Sequence, residues 1–110
     1  MTEIKGYHAH VYYDSDTFEQ ASELCDRAGK RFELSVGHKH QKPVGPHPRW
    51  SCQLAFKPEL FGTVIPWLAL NRKGLTVFIH PETGNDLQDH TEHTIWMGSM
   101  EKLNLDIFSR

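Results

Sequence analysis

Apolar and polar positions alternate with a period of two over residues 6–13, GYHAHVYY, and the aromatic and β-branched content makes this stretch a strand. Asp14, Ser15 and Asp16 follow as N-cap candidates, with Glu19 spaced to close a capping box from Asp16. The spacing then turns helical: Phe18, Ala21, Leu24, Cys25 and Ala28 share one face up to about Gly29, where Lys30 and Arg31 suit a helix C-terminus. Alternation returns at Phe32, Leu34 and Val36, a second strand that runs into GHKHQ. The segment PVGPHP (43–48) holds three prolines and a glycine and is excluded from regular structure. A third strand spans 50–57, WSCQLAFK, with Cys52, Leu54 and Phe56 facing one way. Pro58 suits a first helical position, and Leu60, Phe61, Val64, Ile65 and Leu68 form a second apolar stripe. Pro66 lies inside this helix, but the carbonyl its ring presses on belongs to Gly62, which favours a kink over a break. Gly74 ends the helix, LTVFIH (75–80) is a fourth strand, residues 81–93 are turn-rich, and residues 94–110 give only a weak signal.

The order βαββαβ, without linker or repeat, predicts one α+β domain over residues 1–110. The expected architecture is ferredoxin-like: a four-stranded antiparallel sheet, order 4-1-3-2, with two helices on one face. Side chains alternate across a strand, so Ala9 and Val11 should face the helices while His8, His10 and Tyr12 point to the open face. On strand four, Leu75, Val77 and Ile79 belong to the core, which sends Thr76, Phe78 and His80 to that same open face. Strand one is expected between three and four, parallel to three and antiparallel to four. That would gather His8, His80 and the start of strand three, just after His47, at one edge of the sheet. Opposed residues on neighbouring strands have Cβ atoms only ~4.5–5.5 Å apart, close enough for imidazoles to share an ion.

Composition sharpens the picture. With 38% hydrophobic and 24% charged residues this is a globular chain. A formal net charge of −2 with scattered Lys and Arg argues against nucleic acid. No apolar run approaches the ~20 residues of a membrane helix, and the start, MTEIKGYHAH, lacks a signal core, so a cytoplasmic protein is expected. Cys25 and Cys52 read as free core thiols. The unusual feature is eight histidines, five of them within 8–10 and 38–47. Imidazole is the commonest protein metal ligand. His8, His10 and His80, converging at one edge, are the candidate metal ligands. His47, confined between Pro46 and Pro48, is a candidate catalytic or substrate-contacting residue, and His90 in DLQDHT is placed to swing over the site. His38, His40 and His93 read as solvated, and Tyr12, Trp50 and Trp96 as packing. Phe78 is a candidate stacking surface for an aromatic ligand.

Taken together, YHAHVYYD (7–14), PVGPHPRWSCQLAF (43–56), PWLALNRKGLTVFIHPETG (66–84) and DLQDHT (86–91) resemble the DOPA 4,5-dioxygenase family of small aromatic ring-opening enzymes. The likeness covers residues 6–98 in consistent order. It implies a ferredoxin-like fold, a non-haem Fe(II) site and extradiol-type cleavage of DOPA or a related catechol by O₂. The family's recurrent histidines match His8, His10, His47, His80 and His90; Asn85 stands where an acid is expected. The resulting assignment is His8, His10 and His80 as ligands, His47 as acid/base and His90 as a further catalytic or substrate contact. Glu82 and Asp14 are candidates for a carboxylate ligand, since such iron sites commonly pair two histidines with one carboxylate. Zinc can occupy an imidazole site in purified protein.

Three other readings compete. A histidine-rich metal-binding or sensory module would show a closed ligand shell. An RNA-binding sheet of the same element order fails on charge and on the face that would need basic and stacking residues. A cofactor-independent monooxygenase of similar topology would keep its activity after metal removal. A homodimer through the sheet or the C-terminal segment is compatible with the small size.

Overall fold

A computed structural model describes residues 2–109. Strand β1, Gly6–Tyr13, lies in the middle of a five-stranded antiparallel sheet of order β2-β3-β1-β4-β5, where β2 is Ser35–Val36, β3 Trp50–Phe56, β4 Val77–Glu82 and β5 Ile95–Met97. The expected four strands are thus extended by a fifth beyond β4, built from a stretch whose three residues carried too short a pattern to read. β1 pairs with β3 in antiparallel register, Tyr12 opposite Ser51 and His8 opposite Ala55. This corrects the parallel pairing expected from the sequence. Each helix joins strands that run the same way, so the strand inserted between them must run opposite. His47 therefore enters beside the end of β1 and not beside its start.

The alternation is realised as expected on the core side. Ala9, Val11, Cys52, Leu54, Val77 and Ile79 are fully buried and share one core with Ala21, Leu24, Cys25 and Ala28 of α1 (Phe18–Arg31) and Val64 and Leu68 of α2 (Phe61–Asn71). Cys25 and Cys52 are buried free thiols. The start of α1 differs from the predicted capping box. Thr17 precedes the helix without a side-chain cap, and Asp14 Oδ1 instead accepts from the Asp16 and Thr17 N–H groups. Nor does Gly29 end the helix, which continues to Arg31. A Cβ at Gly29 would stand 2.7 Å from Val36 Cγ2, so glycine is there for close helix–strand approach. α2 starts through a 3-10 turn at Pro58–Leu60 and runs through Pro66 without breaking. β4 starts and ends two residues later than predicted. It accommodates Pro81 because pairing with β5 stops at Ile79, so the missing N–H falls on an unpaired side.

The face expected to be open is covered. Phe78 and Tyr12 are completely buried and His80 is 1% exposed. Residues 95–108 lie over them: Trp96 stacks on Phe78 at 4.6 Å between ring centroids, and Phe108 packs on His90 at 4.6 Å. The Asn104 N–H donates to the Pro46 carbonyl, and Arg49 pairs with Glu101 at 2.9 Å, tying this segment to the proline loop and to the residue preceding β3. No helix among the described residues is long and apolar enough to cross a membrane.

Candidate metal centre

Strand geometry brings the first three histidines together. His8 and His10 stand two apart on β1, hence on one face, and His80 on β4 lies directly opposite His8. Ring centroids are 5.2 Å apart for His8–His80 and 5.1 Å for His10–His80. One ligating atom from each lies within 4.8 Å of the others. The Nε2 atoms of His10 and His80 are 3.0 Å apart. Metal–nitrogen bonds of about 2.1 Å meeting at a right angle put donor atoms about 3.0 Å apart, so this pair fits two positions on one ion.

The protonation pattern fits as well. His80 Nδ1 lies 2.9 Å from the Pro81 carbonyl, which can only accept, so the ring proton sits on Nδ1 and Nε2 keeps its lone pair. A carbonyl that accepts from the far ring nitrogen commonly orients a metal-binding histidine. Burial holds His80 neutral, with its pKa pushed down to about 4, and holds His10 well below the usual range; the neighbouring imidazoles lower His10 further. His8, nearer the surface, is lowered by partial burial and by His90. Neutral imidazoles are the ligating form. The three residues can hold a metal ion, and their nitrogen-only donor set suits iron and zinc alike.

Of the two candidate carboxylates, Glu82 is at the site and Asp14 is not. Glu82 Oε1 is 3.3 Å from His8 Nε2 and Oε2 is 3.7 Å from His80 Nδ1. Burial, with Asp86 and Asp89 nearby, raises its pKa. Asp14 is an exposed turn residue occupied with Asp16 and Thr17, 3.9 Å from Arg49.

His47 and His90 flank the trio. The proline-rich loop places the His47 ring 4.2 Å from that of His10, and burial pushes its pKa down to about 4. Tyr12, from the same face of β1, sets its hydroxyl 2.7 Å from His47 Nδ1. His90, at the end of the short helix α3 (Asp86–Asp89), packs with its ring centroid 4.1 Å from that of His80, tilted by 41°, and its Nδ1 lies 2.7 Å from the Asp86 carbonyl. Phe78 is enclosed among His10, His90 and Trp96, so it builds the wall of the site and presents no face to a ligand.

Two cavities open beside the row of strand histidines. One of about 180 Å³ is lined by His10, His40, His47, Ser51, Gln53 and the loop at Val44–Pro46. A wider groove of about 820 Å³ runs from His8 and Glu82 past Lys5 and Lys57 to the end of α1.

Sequence reasoning missed four contributors. His40 was read as solvated but lines the smaller cavity, because its N–H bonds to the Ser51 carbonyl and carries the loop back along β3. Asp89 is fully buried and accepts from the Thr83 N–H (2.8 Å), the Thr83 hydroxyl (2.7 Å) and His93 Nδ1 (2.9 Å). Burial alone would raise its pKa, but these bonds bring it below the usual carboxylate range. His93, expected to be merely exposed, is thereby tied to the bracket that carries His90; the i, i+4 spacing of Asp89 and His93 was the available signal. Tyr12, read as packing, also holds His47. Asn85, in place of the expected acid, caps α3 by accepting from the Gln88 N–H.

Known proteins resemble this chain over most of its length. A crystal structure of a candidate dioxygenase from Nostoc punctiforme superposes with a TM-score of 0.94 at 42% identity, covering 96% of this chain and 92% of that one. An uncharacterised 21.2 kDa protein of Botryotinia fuckeliana is 36% identical across 97% of this chain, and a DOPA 4,5-dioxygenase of Amanita muscaria is 31% identical across 94%. The chain spans 66% and 50% of the lengths of these two fungal relatives. A family profile matches residues 7–107, from the strand histidines through the proline loop and FIHPETG to the covering segment, and this chain belongs to the Dopa 4,5-dioxygenase family.

Proposed function

We propose that this protein is a non-haem, Fe(II)-dependent extradiol-type dioxygenase that opens the ring of DOPA or a related catechol with O₂, on a ferredoxin-like unit extended by β5. The observation that carries the reading is the close set of ligating atoms on His8, His10 and His80 beside a cavity of about 180 Å³. A cavity of ~150 Å³ accepts a benzene ring, so the space is on the scale of a catechol ring. Bound iron would supply a site where both catechol oxygens and O₂ meet and exchange electrons. The chain's own groups bind, orient and handle protons: His47 and His90 reach the substrate from either side of the ligands, and Ser51 and Gln53 offer polar contacts to its hydroxyls. Trp96 and Phe108 keep water from the far side.

The test is anaerobic reconstitution with Fe(II), followed by DOPA or caffeate and O₂. A yellow ring-opened semialdehyde is expected. Stoichiometric iron with no colour from any catechol would favour a metal-binding module without catalysis. Substitution separates ligands from proton-handling groups: His10→Ala should lose iron, while His47→Ala should keep it and lose turnover by about 10²-fold or more. Iron release from His47→Ala would overturn that division.

A further inference from the structure

We propose that His47 and His90 work with opposite hydrogen-bond polarity: Tyr12 holds His47 as an Nε2–H donor, and the Asp86 carbonyl holds His90 as an Nε2 acceptor. The assignment of roles rests on the dioxygenase reading above, whereas the polarity follows from the bonds alone.

Tyr12 is completely buried, and among the described residues His47 Nδ1, at 2.7 Å, is the partner of its hydroxyl. A phenol carries one proton. If His47 Nδ1 were the donor, the phenolic hydrogen would be left with no acceptor among the described residues. Native interiors avoid such an orphan. Burial also raises the Tyr12 pKa, so the hydroxyl keeps its proton and donates it. A neutral His47 must then carry its own hydrogen on Nε2, at the opposite edge of the ring.

His90 is the reverse case. Its Nδ1 faces a carbonyl, which can only accept, so a hydrogen lies on Nδ1 and the neutral ring offers Nε2 as its acceptor. The ring is held there by packing against Phe108 and His80.

Two histidines of the same residue type thereby acquire different tasks. On the dioxygenase reading, a catechol hydroxyl donates a hydrogen bond to His90 Nε2. His47 Nε2–H donates a hydrogen bond to a substrate oxygen. Tyr12 is a positioning residue, acting through His47.

Long-range ¹H–¹⁵N spectra of the uniformly labelled, zinc-loaded protein at pH 7.5 read both tautomers directly. His47 is expected as the Nε2–H form and His90 as the Nδ1–H form. His47 with its hydrogen on Nδ1, or His90 with its hydrogen on Nε2, would overturn the inference without touching the dioxygenase reading. Tyr12→Phe should shift His47 toward the Nδ1–H form, leave His90 and metal stoichiometry unchanged, and lower kcat of the iron enzyme about tenfold with KM moved less. An unchanged His47 spectrum in Tyr12→Phe would equally overturn it. The expected tautomers in a protein that opens no catechol would leave the polarity standing and bring down the dioxygenase reading.

Discussion

His47 and His80 illustrate how far burial can move a single side chain: both rings are pushed down to about 4, mainly by loss of water. The consequence for stability has a definite sign. Between pH 6.5 and 4 the unfolded chain binds protons that these rings refuse in the folded state, so stability is complete above 6.5 and falls as the pH drops toward 4. Each pH unit inside that window costs about 1.4 kcal/mol per ring. Thermal unfolding of the metal-free protein should therefore show Tm lower by about 10 °C or more at pH 5 than at pH 7. A flat profile would mean the rings are not held neutral. Asp89 belongs to the same scale. It is buried with three accepted hydrogen bonds, and Asp89→Ala strands the Thr83 donors; a loss of about 2–4 kcal/mol in urea unfolding is expected.

At the scale of elements, the contact between α1 and β2 depends on a missing side chain. Gly29 in the last turns of α1 would gain roughly 1 kcal/mol of helix propensity as alanine. The added Cβ would stand 2.7 Å from Val36 Cγ2, on a stiff β-branched residue, and overpacking costs about 1–3 kcal/mol. Gly29→Ala should be destabilising alone, and Val36→Ala should relieve it. Additive losses in the double variant, measured by chemical denaturation, would show that the two do not meet. The pattern that reads Gly29 as a helix stop and the pattern that needs it for packing are identical in sequence. Only the neighbouring strand separates them.

For the whole molecule, the site is a product of closure. Residues 95–108 convert a sheet face into a lined chamber, anchored by the Arg49–Glu101 pair and the Asn104–Pro46 hydrogen bond. A chain ending at Gly98 should keep the helices, the central strands and metal stoichiometry, because the ligands lie on β1 and β4. It should raise KM about tenfold or more, since Phe108 no longer supports His90. Loss of metal from that truncated chain would place the covering segment in the ligand set instead.

Period-two alternation was enough to determine which face of β1 and β4 carries His8, His10 and His80, because side-chain direction in a strand is a local property. The helices, the buried thiols and the irregular backbone of the His47 loop were legible for the same reason. The direction of β3 against β1, the fifth strand and the covering of the sheet face were not. Each depends on which segments meet across long sequence separations, as Tyr12 with His47 and Trp96 with Phe78 do. Sequence therefore named the imidazoles. Tertiary contact decided their burial, their hydrogen-bond partners and so which ring nitrogen carries each proton, because those depend on solvent exclusion and on atoms supplied from elsewhere in the chain.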